Sequence, residues 1–383
     1  MRKICVVITA RPSYSRIKTV LLEIKKHPKL DLSIVVAASA LLNRYGSAVD
    51  VIEADGFVIN HKIYNALEGT SLSTSAKTTG LGIIELSSVF EKLKPEIVIT
   101  IADRFETMST AIAASYMNIP LAHIQGGEVT GNIDEKVRHS ITKLSDYHFV
   151  SSAKSYNRVL KLGEHKNFIF NTGCPSIDIA KKVLDNPKID FDFNEKYPGV
   201  GKKINLNEDY LMVLQHPVTT EFGNSYEQAL QTLLAVYKIN LPVLWFWPNI
   251  DAGSDKTSKA IRKFRENYTD SKFTFVKNVQ PDDFLKLAYN SKCLIGNSSV
   301  GIRECSFLGV PVVNIGTRQN KRERAENVID TDYDQNLIIK SIKAQLDCKK
   351  YPSSSIFGKG NSGKLIAEII SEIELVSNKT ISY

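Results

Sequence analysis

Residues 96–127 read EIVITIADRFETMSTAIAASYMNIPLAHIQGG. Two short apolar runs, 97–101 and 119–124, flank a segment whose small apolar residues recur at helical spacing. A strand with one wet face alternates apolar and polar side chains. These runs are apolar almost throughout, which marks strands buried on both faces and therefore a parallel sheet covered by helices on each side. The points where the runs stop carry equal weight. Asp103 and Arg104 end the first run, and Gln125 with two glycines ends the second.

The same rhythm extends in both directions. Upstream, KICVVIT is followed by the helix-like YSRIKTVLLEIKKH and then DLSIVVAA; downstream, IDEKVRHSITKLS leads to YHFVSS. NTGCPSID then combines Gly173 with Pro175, and a charged, proline-containing stretch runs to about residue 207, as expected of a domain boundary. Beyond it the pattern restarts. YLMVLQHP precedes a helix over 224–238, LPVLWFWPN a helix over 256–267, and FTFVKN, CLIGNSS and VPVVNIG complete the strands. The expected fold class is α/β, with two doubly wound Rossmann-like domains, 1–175 and 176–365, facing a cleft. A helical segment within 366–383 is expected to pack back on the first domain.

Composition sets the outer limits. A chain of 383 residues, 43% hydrophobic and 23% charged, is long enough for two ordinary cores. No apolar run approaches the ~20 residues of a membrane helix. The opening MRKICVVITARPSY resembles a leader only until Arg11-Pro12 interrupts it, so it reads as a buried first strand. Cysteines at 5, 174, 293, 305 and 348 form no C-x-x-C pair, which argues against a disulfide framework or structural zinc and for a reducing, cytoplasmic setting. The net charge of +8 is interspersed along the chain. Even with GTRQNKRERAEN, it fits anionic small molecules better than nucleic acid.

Almost every unusual polar cluster sits just after an expected strand. Arg11, Ser13 and Ser15 follow the first, Asp103 and Arg104 another, and Gln125 to Glu128 the next; in the second half His216, Asn249, Ser298-Ser299 and Thr317-Arg318 do the same. Parallel strands would gather these groups on one edge of each sheet, where doubly wound folds bind ligands. In GNSSVGIRE, two serines and a glycine lead into a helix, whose first N–H groups suit a diphosphate; Glu304, one turn in, suits a ribose diol. The stretch HIQGGEVTGNIDEKVRHS adds Glu128, Asp134, Glu135 and His139. His123 reads as core, and His139 as a helix-face partner of Glu135. A zinc site built from His123, Glu128 and His139 lacks any supporting spacing.

In order, RPSYSR, ADRFE, HIQGGEVTGNIDEKVRHSITKLS, LQHPVTTE, FWPNIDAGSDK, IGNSSVGIRE and NIGTRQ closely resemble the hydrolysing UDP-N-acetylglucosamine 2-epimerases, over roughly residues 3–365. The resemblance implies a glycosyltransferase-B fold. It also implies elimination of UDP across C1–C2 of the sugar and hydration of the glycal to N-acetylmannosamine, for sialic-acid-type sugar biosynthesis, without metal or cofactor. By position it implies that Ser298, Ser299, Glu304 and Arg318 hold UDP, with Arg11, Ser15, Arg104, Asn249 and Phe284 nearby. His216 would lie against the phosphates, and Asp103, Glu128 and Asp134 would move protons. The family resemblance further implies a cytoplasmic homo-oligomer, a dimer or tetramer, with no membrane or nucleic-acid partner. Two positions depart from the family pattern. Gln125 stands where many relatives carry a catalytic glutamate, and Ser13 where they often carry an acid. These departures keep open a UDP-N,N′-diacetylbacillosamine substrate and a silent UDP-sugar binder, and a non-hydrolysing epimerase of the same fold is a third alternative.

Overall fold

The computed structural model describes residues 1–43, 46–67, 72–130, 133–248, 253–277 and 279–382, with the side chains of 72, 133, 134, 219 and 222 outside that set. Its backbone forms two compact units. Unit 1 comprises Met1–Glu128, Ile133–Asp178 and Ile356–Tyr383; unit 2 comprises Val129–Asn132 and Ile179–Ser355. The helix Ser362–Glu372 near the C-terminus thus counts with the first unit.

Unit 1 is built on β1 (Arg2–Ile8), β2 (Leu30–Ala37), β3 (His61–Ile63), β4 (Ile97–Ile101), β5 (Leu121–Ile124), β6 (Tyr147–Val150) and β7 (Ile169–Asn171). They lie in the order β3-β2-β1-β4-β5-β6-β7, and every pairing is parallel. The near-continuous apolar runs have the expected cause. Along β1, Ile4, Val6 and Ile8 enter one cluster with Ile17, Val20 and Leu21 of the helix Arg11–Lys26 and Ile366 and Ile370 of the helix Ser362–Glu372. Cys5 and Val7 face a second cluster with Leu86 and Phe90 of the helix Leu72–Leu93 and Ala111 and Ala114 of the helix Thr107–Tyr116. Successive side chains on a strand point to opposite faces, so both faces are dry.

Unit 2 repeats the plan with β8 (Val200–Gly201), β9 (Leu211–Leu214), β10 (Val243–Phe246), β11 (Phe273–Val276), β12 (Cys293–Gly296), β13 (Val312–Ile315) and β14 (Val328–Thr331). The order is β14-β13-β12-β9-β10-β11-β8. Only β8 runs antiparallel, against β11, where Val200 and Gly201 pair with Phe275 and Thr274. The fold is therefore two-domain α/β, with helices interleaved between parallel strands. Among the described residues no helix is long and apolar enough to cross a membrane.

The second of the two glycines after β5 has a structural explanation. Gly127 sits at φ +74°, and a Cβ there would collide with the Ser155 carbonyl. Gly127→Ala combines backbone strain with that collision and is expected to destabilise unit 1 by about 2–4 kcal/mol. Gly80→Ala is the contrast: it lies mid-helix with nothing within 4 Å of the new Cβ, and a gain of about 0.5–1 kcal/mol is expected. Urea midpoints of the two variants check both values.

Candidate functional site

The order of unit 1 makes β1, β4 and β5 neighbours, so Arg11, Asp103 and Gln125–Glu128 emerge from one edge of the sheet. The strand order reverses at β1/β4, the place where such sheets take ligands. Pro12 is the second residue of the helix after β1, and Ala10 is its extended cap residue. The Arg11 guanidinium donates to the Gly46 carbonyl at 3.1 Å, and the Ser15 hydroxyl donates to the Arg11 carbonyl at 3.3 Å. Ser13 is buried at 3% exposure. Arg104 folds onto Glu106, with Nε to Oε2 at 3.1 Å, and lies over the Phe105 ring.

The proton-handling candidates share a buried organiser. Arg138, on the helix Ile133–Leu144, has a side chain only 1% exposed and forms an ion pair with Asp103. Its Nη1 donates to the Glu128 carbonyl at 2.8 Å and reaches Glu135 Oε2 at 3.4 Å. Burial alone would lower the Arg138 pKa; Asp103, Glu128 and Glu135 outweigh it and hold the guanidinium charged. Arg16 stands on the other side of Asp103, at 4.0 Å. The Glu128 carboxylate, with the residue 4% exposed, accepts from Ser151 Oγ at 2.9 Å. Asp103 and Glu128 are thus held through a single cation, by the side chain of one and the backbone of the other. The side chain of Asp134 lies outside the described residues.

The remaining groups of the stretch divide as their surroundings dictate. Gln125, at φ +68° and 2% exposed, donates from its amide to Cys174 Sγ at 2.9 Å. His139 pairs with Glu135 at 3.0 Å, as helix spacing predicts. His123 is fully buried, with Nε2 at 2.9 Å from the Ala102 carbonyl and Nδ1 at 3.2 Å from Thr142 Oγ1. Burial pushes its pKa down to about 3, which makes it a neutral core histidine. Among the described residues no cluster of His, Cys, Asp and Glu has the makings of a metal site.

In unit 2 the neighbours β13, β12 and β9 place Arg318, Ser298-Ser299 and His216 on one edge. His216 is 6% exposed, and its backbone N–H donates to Asn297 Oδ1 at 2.7 Å. Arg318 Nη1 donates to the Asn297 carbonyl at 3.3 Å. Phe284 stacks edge-on against Phe246, with ring centroids 5.0 Å apart. Asn249 lies outside the described residues.

The serine motif departs from expectation. The helix it opens covers only Ser299–Ile302, breaks at Arg303 (φ −101°, ψ −71°), and resumes as Glu304–Leu308. Ser298 caps the first piece by accepting from the Val300 N–H, and Ser299 Oγ accepts from Arg303 Nη2 at 3.0 Å. The short first turn gives a weak dipole, and Ser298 itself accepts from the Val300 and Gly301 N–H groups, so the turn by itself is a poor anion site. Glu304 is 7% exposed, and its Oε2 lies 3.9 Å from Arg303 Nε in a buried ion pair.

Arg138 and Asn297 were not singled out from the sequence. Arg138 lies three residues after Glu135 on the same helix, and only the tertiary fold shows that it is buried.

A family model described as UDP-N-acetylglucosamine 2-epimerase matches residues 22–371 of the chain. The chain is 33% identical to UDP-N,N′-diacetylbacillosamine 2-epimerase (hydrolyzing) of Legionella pneumophila, over all of both chains. It is 28% identical to UDP-N-acetylglucosamine 2-epimerase of Neisseria meningitidis, over 98% of this chain and 96% of that protein. The crystal structure of the Neisseria enzyme bound to UDP-GlcNAc matches the fold with a TM-score of 0.80, covering 96% of this chain and 99% of that one at 20% identity.

Proposed function

The chain belongs to the UDP-N-acetylglucosamine 2-epimerase family, and from that premise we propose that it is a hydrolysing 2-epimerase acting on a UDP-linked 2-acetamido sugar. The reading rests above all on Asp103 and Glu128, two carboxylates at neighbouring strand ends organised by the buried Arg138. A carboxylate removes the C2 proton while the C1–O bond to UDP breaks, leaving a 2-acetamidoglycal. Water then adds its oxygen to C1, and C2 takes a proton on the opposite face. The sum is UDP-sugar plus water giving UDP plus a free sugar inverted at C2, so no oxidant or reductant enters.

The chain's groups have separate duties in this reading. Asp103 and Glu128 carry protons, in roles that two carboxyls can divide when their surroundings differ. Asp103 stands between two guanidiniums, whereas Glu128 accepts from a serine hydroxyl. Asp134 would assist. In unit 2, Arg318 and His216, with Ser298 beside them, would stabilise charge growing on the departing diphosphate. Ser299 and Glu304 would bind ribose and phosphate oxygens, and Phe284 would face the uracil. Arg11, Ser15, Arg104 and Asn249 would complete the contacts. Gln125 cannot accept a proton, and its buried amide is turned to Cys174, so it carries no proton in this reading.

The first reading of the substrate is UDP-N-acetylglucosamine, the sugar of the family the motifs resemble, with a product of the kind used in sialic-acid-type synthesis. The second reading is UDP-N,N′-diacetylbacillosamine, favoured by the higher full-length identity to the Legionella enzyme, 33% against 28%. Proton NMR with each sugar in D₂O separates the readings. The expected result is free UDP with a free manno-configured sugar bearing deuterium at C2. A manno-configured sugar still joined to UDP would assign the non-hydrolysing reaction, and UDP binding without turnover of either sugar would leave a binding protein.

A further inference from the structure

The sheet of unit 2 reverses its strand order between β9 and β12, and one residue bridges that point. Gly296, at φ +131°, brings the end of β12 against the Leu214 carbonyl, where any Cβ would collide with backbone. Asn297 follows, fully buried, with its own N–H donating to Leu214 O at 3.2 Å. Its side chain then continues the pairing that the strands have ended. Oδ1 accepts from the His216 N–H at 2.7 Å, and Nδ2 donates to the His216 carbonyl at 2.8 Å. The Asn297 carbonyl accepts from Arg318 Nη1 at 3.3 Å and Gln319 Nε2 at 2.9 Å, both just after β13. Nδ2 also lies 3.5 Å from the hydroxyl of Tyr333, two residues past β14.

One buried asparagine thus ties together the loops that follow β9, β12, β13 and β14, its side chain holding the first and last and its backbone carbonyl the third. Only a group with a donor and an acceptor in one plane can close the ring on His216. Aspartate would set a second acceptor against the His216 carbonyl, alanine would strand both backbone groups, and serine is too short to span them. We infer that Asn297 is a positioning residue for the diphosphate, one that fixes His216 and Arg318 in register with Ser298 and Ser299. The inference rests on the nucleotide-sugar reading given above.

The test is UDP binding by isothermal titration in a mutant cycle on the full chain. Asn297→Ala is expected to weaken UDP at least ten-fold. In a His216→Ala/Arg318→Ala background the same change should cost less than two-fold, because the groups it positions are gone. UMP, which lacks the second phosphate, should lose less than UDP does. Asn297→Ser, read the same way, serves if the alanine variant fails to fold. UDP affinity within two-fold of wild type, or an equal loss in both backgrounds, would overturn the inference and leave the functional reading intact. A wild-type protein that does not bind UDP would overturn both.

Discussion

Asp103→Asn is expected to lower turnover by about 10²–10⁴-fold, the usual worth of a positioned general acid or base, while UDP affinity stays within about two-fold. The substitution keeps the size of the side chain and one oxygen for Arg138, and Arg138 keeps its contacts to the Glu128 carbonyl and Glu135. What it removes is the capacity to take and return a proton. Because Asp103 lies in unit 1 and the proposed diphosphate groups lie in unit 2, nucleotide binding and proton transfer separate in the measurement. UDP release in a coupled assay gives the rate, and titration with UDP gives the affinity. Normal turnover in the variant would remove Asp103 from the mechanism and pass its role to Glu128. A parallel fall in UDP affinity would point to a misfolded loop, because an isolated proton-transfer defect leaves ground-state binding untouched.

The sites that could be read from the sequence are those where chemistry follows a strand end. Apolar runs such as IVITI and LMVL fix buried parallel strands, and parallel strands force their trailing residues onto one edge, so Asp103, Glu128, His216 and Arg318 could be named before any coordinates. The groups that hold them in place left no such trace. Arg138 and Asn297 lie inside quoted motifs, but they act through contacts to residues distant in sequence, so their roles do not show in the local pattern. The serine motif misled in its geometry: a continuous helix was expected where Arg303 breaks it, because the sequence GIREC shows neither proline nor a capping signal at the break. The two-residue β8 strand was also invisible, being too short for alternation to register. The polar stretch SNKTIS shows no apolar spacing that would place it against the body of the unit, yet it carries the lysine that matters next.

Glu164→Gln is expected to destabilise unit 1 by about 3 kcal/mol at neutral pH. In the sequence Glu164 is one charge in a loop; in the fold its side chain is 2% exposed and meets Lys143 at 2.7 Å, Lys379 at 2.6 Å and His148 Nε2 at 3.0 Å. Burial would raise its pKa, but the hydrogen bonds from His148, Lys143 and Lys379 override that and bring it down from an ordinary 4.5 to about 2. Each unit of such a shift is worth about 1.4 kcal/mol, which gives the expected size. The folded pKa lies below the unfolded one, so the contribution is fully present above pH 4.5 and fades as pH falls through about 2. Burial keeps His148 neutral by lowering its pKa, so it donates to Glu164 without adding charge. Lys379 belongs to the last stretch of chain, and near it Ser382 N–H bonds to the Gly163 carbonyl, so the carboxylate fastens that stretch to the body of the unit. Glu164 and its partners lie around the start of β6, at the end of the sheet opposite Asp103, and turnover at a temperature where the variant is folded should be unchanged. Urea unfolding of both proteins at pH 7 and pH 3 should show the gap closing in acid, with faster amide exchange at Ser382 in the variant. A gap below about 1 kcal/mol at pH 7 would mean that solvent screens these ion pairs as it screens exposed ones, and that packing alone holds the end of the chain.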